Sequence, residues 1–112
     1  GKYTRIGNLC HCTGYLDTNS SVSGTTSNTV DIHGLPFTVW NPGSLSYQPL
    51  AISFFIFIDF AHDGLSMHYM PGYSYIRPYH IDDNASPNNV TAAQMAGTND
   101  SRIAFQGPYM TG

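Results

Sequence analysis

Every acidic side chain in this sequence is an aspartate, seven in all, and there is no glutamate. Hydrolysis by acid and base needs two carboxylates that converge on one bond. The nearest groupings are Asp59 with His62 and Asp63, around a turn, and Asp82 with Asp83 in a polar loop. Aspartate is common at turns and strand ends because its side chain bonds its own backbone. These spacings therefore point to turns first and to a hydrolytic set second. No G-x-S-x-G elbow is present to expose a serine nucleophile, and no glycine-rich phosphate loop precedes a helix. The chain is read as non-catalytic.

Five histidines, His11, His33, His62, His68 and His80, are many for so few charges, but none fall at H-x-H or H-x-x-x-H spacing. One histidine per chain meeting on a three-fold axis would make a metal site; a hydrogen-bonded or surface histidine is the commoner arrangement. Asp82-Asp83-Asn84 carries hard oxygen ligands of the kind Ca²⁺ takes, without the EF-hand spacing. Cys10 and Cys12 share one face of a strand, where a disulfide between i and i+2 is strained. They read as free, buried, small apolar residues, which argues against a disulfide-built secreted scaffold. His11 between them points the other way, and no second Cys pair exists, so a zinc site is not expected. No metal or cofactor is assigned.

The strongest binding signal is aromatic. Tyr69, Tyr73, Tyr75 and Tyr79 alternate near a polar loop holding Asp82, Asp83 and Asn84, and Tyr73, Tyr75, Arg77 and Tyr79 fall on one strand face. A tyrosine ring offers a flat apolar body with a polar tip, suited to stacking on a sugar while Asp and Asn accept its hydroxyl hydrogens. The expected ligand-binding set is Tyr73, Tyr75, Arg77, Tyr79, Asp82, Asp83, Asn84 and the sole tryptophan, Trp40. The competing reading has the tyrosines covering the core or lining a subunit interface, with Trp40 as a core anchor.

These residues must be held by one small domain, since 112 residues close a single core. Charged residues make up 10% of the chain, against about 25% in an ordinary soluble domain. The cations are Lys2, Arg5, Arg77 and Arg102, and the net charge is −3. That is too little positive charge for a nucleic-acid partner or for an anionic membrane surface. The longest apolar run, Leu50 to Phe60, is interrupted by Ser53 and Asp59 and too short to span a bilayer. The start at Gly1 reads as a processed fragment or the end of a longer polypeptide.

Abundant Gly, Pro, Tyr and Phe with many Ser, Thr and Asn describe aromatic strands between polar turns. Strands are expected over Ile6–Asp17, Thr29–His33, Thr38–Trp40, Leu50–Phe60, Leu65–Met70, Tyr73–Ile81 and Ser101–Thr111. Gly7 and Gly14 suggest bulges or close backbone approach, and Gly107-Pro108 a bulge or kink. Val30 and Ile32 should face inward, Asp31 and His33 outward. Val90–Ala96 reads as a short turn. In Leu50–Phe60, Ile52, Phe54, Ile56, Ile58 and Phe60 form one unbroken core face. Phe55 and Phe57 make the opposite face apolar too, which implies a covering sheet or subunit. About eight strands spaced by turns give an all-β, antiparallel two-sheet sandwich, jelly-roll-like.

Tyr3-Thr4-Arg5-Ile6-Gly7-Asn8, then an alternating strand with Gly14, then Val30-Asp31-Ile32-His33-Gly34-Leu35-Pro36-Phe37, together resemble a β-rich module at the C-terminal ends of bacteriophage tail fibre and tailspike-like proteins. Arg102 to Tyr109 looks like that module's final strand. The resemblance spans both ends, roughly half the chain. It implies a homotrimer at the tip of a virion appendage that binds a host-cell surface receptor, a glycan or protein, without catalytic residues and without membrane insertion. The middle, residues 41 to 100, lies outside the resemblance and would hold the specificity. The alternative function is a structural trimerisation or capsid or tail decoration domain that touches no receptor. A small glycan hydrolase is the third reading.

Overall fold

The computed structural model describes residues 1–18, 27–43, 47–56, 64–81, 86–95 and 101–112. The chain begins with a hairpin, β1 (Lys2–Ile6) and β2 (Leu9–Thr18). The two-residue connection Gly7-Asn8 works because Gly7 takes a φ of 57°, the left-handed conformation that tight hairpins need at their first central residue. Gly7 therefore marks a turn rather than a bulge; the strand expected from Ile6 begins at Leu9, and a further strand, β1, precedes it. Along the rest of the chain come β3 (Ile32–His33), β4 (Gln48–Ile56), β5 (Gly64–Tyr69), β6 (Tyr75–Ile81), β7 (Asn88–Asn89), the short α1 (Ala92–Met95) and β8 (Ser101–Met110). The pair Asn88–Asn89 is hydrogen-bonded to β6.

The domain is all-β and antiparallel, but its strands form one hydrogen-bonded path, β1-β2-β8-β4-β5-β6-β3, with β7 added to β6. The expected two-sheet sandwich is corrected to a single curled sheet, a half-barrel. The cause lies in β4. Its first residues, Gln48 to Leu50, pair with β5, and its remainder, Ala51 to Ile56, pairs with β8. One strand thus serves both arms, and the sheet bends through it instead of breaking.

The two arms then close on each other. Along β8 the odd residues from Ser101 to Tyr109 are buried, the period-2 signature of a half-covered strand. Cys10, Ile103, Phe105 and Tyr109 from one arm meet Met67, Tyr69 and Ile76 from the other. The Tyr69 and Tyr109 rings lie 4.5 Å apart, and the Tyr69 hydroxyl donates to the Gly107 carbonyl at 2.7 Å. Cys10 and Cys12 are free and buried, with their sulfurs 3.8 Å apart.

Two glycines in strands answer to close approach. Gly14 sits opposite Phe105, whose ring occupies the place of a side chain: a Cβ there would lie 2.2 Å from it. Gly107 pairs in an unbroken register with Cys12, so the expected bulge is absent from β8. A Cβ on Gly107 would instead meet Leu50 at 3.1 Å.

A bulge occurs elsewhere, between Ile52 and Phe54 in β4. It adds one residue and shifts the parity of everything after it. Ile52 pairs with the inward Phe105, whereas Phe54 pairs with the outward Ala104. Phe54 is 42% exposed and lies 6.3 Å from the Tyr15 ring. Phe55, also 42% exposed, pairs with Ile103. The unbroken core face through Ile52 and Phe54 is thereby corrected. Phe57, Ile58, Asp59 and Phe60 lie outside the described residues.

Candidate functional site

The site is built on the outer face of β6. Its approach is set by Met70-Pro71-Gly72-Tyr73: the Tyr73 amide donates to the Met70 carbonyl at 3.1 Å, and Gly72 has a φ of 82°. Proline followed by a left-handed glycine makes this a type II turn. Within β6, Ile76, Pro78 and His80 are buried while Tyr75, Arg77 and Tyr79 alternate to the other side. The Val30–His33 segment follows the expected pattern. Val30 and Ile32 pack on the core, and Asp31 and His33 reach the β6 face.

Tyr73, Tyr75, Arg77 and Tyr79 form a continuous row. The Tyr73 and Tyr75 rings are 5.1 Å apart. The Arg77 guanidinium lies 5.4 Å from the Tyr75 ring centroid, and its Nη2 donates to the Tyr75 hydroxyl at 3.3 Å. Arg77 Nε and Nη2 also donate to the two carboxylate oxygens of Asp31 at 2.7 and 2.9 Å. This bidentate pairing raises the affinity of Arg77 for its proton still further. His33 stacks on the other side of the row, 5.0 Å from Tyr75.

At the far end, His68 on β5 meets Tyr79 edge-on at 5.4 Å and Tyr47 edge-on at 6.0 Å. Tyr47, His68, Tyr79 and Pro87 enclose a cleft of about 200 Å³, below the range of drug-sized pockets and suited to one ring. Burial lowers the pKa of His68 and raises that of Tyr79. Both are therefore neutral at pH 7. His68 Nε2 lies 3.3 Å from the Ser66 hydroxyl, and its buried Nδ1 has no hydrogen-bond partner among the described residues. Asn89 stands directly opposite Tyr79 across the β6–β7 pair.

A larger cleft, about 460 Å³, opens between β2 and the Ile32–Pro36 segment, over Cys12, Gly14, Ile76 and Phe105. It is the open side of the curl, floored by core residues. The smaller cleft is the better candidate because three rings, those of Tyr47, His68 and Tyr79, line it and Tyr79 continues the aromatic row into it.

The eight expected binding residues thus divide. Tyr73, Tyr75, Arg77 and Tyr79 come together. Asp82, Asp83 and Asn84 lie outside the described residues, as do the carboxylates of the Asp59–Asp63 grouping. Trp40 is 48% exposed and is joined to the row by no ring contact among the described residues. Its amide donates to the Met110 carbonyl at 2.8 Å, beside the end of β8. Tyr69, part of the same tyrosine spacing, is core. Tyr47, His68, Pro87 and Asn89 join the face without having been singled out for binding. The outward parity of Asp31 and His33 was readable, but their partners on β6 were not. No protein-family model matches the chain, and neither curated proteins nor solved structures yield a match.

Proposed function

We propose that this chain is a non-catalytic domain that binds a host-cell surface glycan, as the trimeric tip of a bacteriophage tail fibre or spike. The observation that carries the reading is the row of Tyr73, Tyr75, Arg77 and Tyr79 ending in the Tyr47–His68–Tyr79–Pro87 cleft. Flat faces with hydroxyl tips suit sugar rings, which are apolar on their faces and polar at their edges. The resemblance at both ends of the chain supports the appendage setting.

Self-association has its own support. Ile6 is 78% exposed, and Leu9 and Met110 pair beside it on the outer side of β1, β2 and β8. Tyr15, Phe54 and Phe55 add exposed rings on the same arm. These observations favour a second reading, a trimerisation or decoration domain that touches no receptor.

Alanine at Tyr75 and Tyr79, with adsorption to host cells and mass in solution both measured, separates the two. Lost adsorption by an intact trimer is expected. Unchanged adsorption with failed assembly would move the assignment to the structural reading. A monomer at all concentrations would remove the trimer.

A further inference from the structure

We infer that the saccharide taken by this face is uncharged, with one sugar ring in the Tyr47–His68–Tyr79–Pro87 cleft and its neighbours laid over Tyr75 and Tyr73. The inference rests on the glycan reading and adds the charge class of the ligand. The spacing suits a chain rather than a single sugar. Tyr75 and Tyr79 are four residues apart on one strand, roughly 13 Å at strand rise, and Tyr73 extends the row by a further ring contact.

The charge class follows from where the cations are. Arg77 is the basic residue of the row, and its charge is paired with Asp31, to whose two oxygens Nε and Nη2 donate. Its remaining face lies on Tyr75. A uronate, sialate or phosphate that approached Arg77 would meet a charge already neutralised by Asp31 at 2.7 Å, so it would gain little net attraction unless it displaced that carboxylate. The pair has side chains only 23% and 19% exposed, and separating such a pair is costly because the remaining charge is poorly solvated.

The other three cations belong to the opposite arm. Arg5 donates to the Gly7 carbonyl and lies 4.3 Å from the Phe37 ring centroid. Arg102 pairs with Asp17 at 3.2 Å. Lys2 borders the larger cleft. His68 adds no positive charge at neutral pH, because burial disfavours its protonated form. What the face does present is neutral: the tyrosine hydroxyls, the Ser66 hydroxyl and the Asn89 amide, beside ring faces. These donate to and accept from sugar hydroxyls without a charge to neutralise.

The test measures binding of the whole chain to immobilised neutral oligosaccharides and to sialylated, uronate-bearing and phosphorylated ones, between about 50 and about 500 mM NaCl. Neutral chains should bind, with affinity unchanged across the salt range. Tyr47→Ala, at a half-exposed position, should weaken that binding about tenfold or more. Asp31→Asn should release Arg77 and bring in salt-sensitive binding of uronates. Preference of the unaltered chain for acidic sugars, or an affinity that falls steeply with salt, would overturn the inference while leaving glycan binding standing. Binding to none of the sugars would overturn the glycan reading and this inference with it.

Discussion

Replacing Tyr69 by phenylalanine tests whether the two arms of the curled sheet are locked face to face. Tyr69 is 0% exposed. Its hydroxyl crosses from β5 to the Gly107 carbonyl on β8 at 2.7 Å, and its ring contacts Tyr109 at 4.5 Å. The substitution keeps the ring and removes one donor. A typical hydrogen bond contributes about 1 kcal/mol net, and a buried acceptor left without its partner raises the cost, so a loss of about 1–3 kcal/mol is expected. In a domain near this size each kcal/mol moves the melting temperature by roughly 4–8 °C. Urea denaturation followed by tryptophan fluorescence and circular dichroism measures it. The midpoint should fall while the slope stays constant, because the surface exposed on unfolding is unchanged. Tyr109 donates to the Phe37 carbonyl at 3.2 Å, so Tyr109→Phe completes a double-mutant cycle. Both rings remain in every variant, so the cycle reads only the two hydroxyls, whose acceptors are separate, and the two losses should add within about 0.5 kcal/mol. A Tyr69→Phe cost below about 0.5 kcal/mol, the level of an ordinary surface change, would refute the hydrogen bond that joins the two arms through this residue.

Gly14→Ala should destabilise by about 1–3 kcal/mol through overpacking against the Phe105 ring, and Phe105→Leu in the same chain should recover part of the loss in thermal melts. Burial and the adjacent Cys10 push the Cys12 thiol up to about 11, so a thiol reagent at pH 8 should react slowly with the folded chain and promptly once denaturant unfolds it. Burial lowers the His68 pKa from 6.5, so below that pH the unfolded chain binds the extra proton first. Stability should therefore fall as pH drops through 6.5 and level off beneath the folded-state pKa. His68→Gln should reduce that acid slope in denaturation curves taken at a series of pH values. An unchanged slope would show that His68 titrates as freely in the fold as outside it.

The mistaken β4 pattern shows where sequence reasoning stops. Ile52, Phe54 and Ile56 alternate without a break, and alternation assigns one face only while the strand keeps its pairing phase. The bulge at Ser53 depends on how β4 meets β8, a partner some fifty residues away in the chain, and nothing local to Leu50–Phe60 encodes it. Gly14 is a middle case. Its presence in a strand announced a close approach, but the identity of Phe105 as the approaching group came from the β2–β8 register.

The residues themselves determined what depends on near neighbours. Period-2 alternation determined the strand faces of Val30–His33, β6 and β8, and Pro71-Gly72 determined its turn. The shortage of Lys and Arg determined that there is little positive charge to offer any ligand. The tertiary structure decided what depends on long-range pairing. It made β4 common to both arms, so the sheet curls instead of forming a sandwich, and it sent Tyr69 to the core while leaving Tyr79 at a cleft. It also set Asp31 against Arg77 and brought Tyr47 and His68 to the end of the row. Strand pairing is decided by total burial and hydrogen bonding over the whole chain, and a local pattern carries no information about which distant strand will satisfy it.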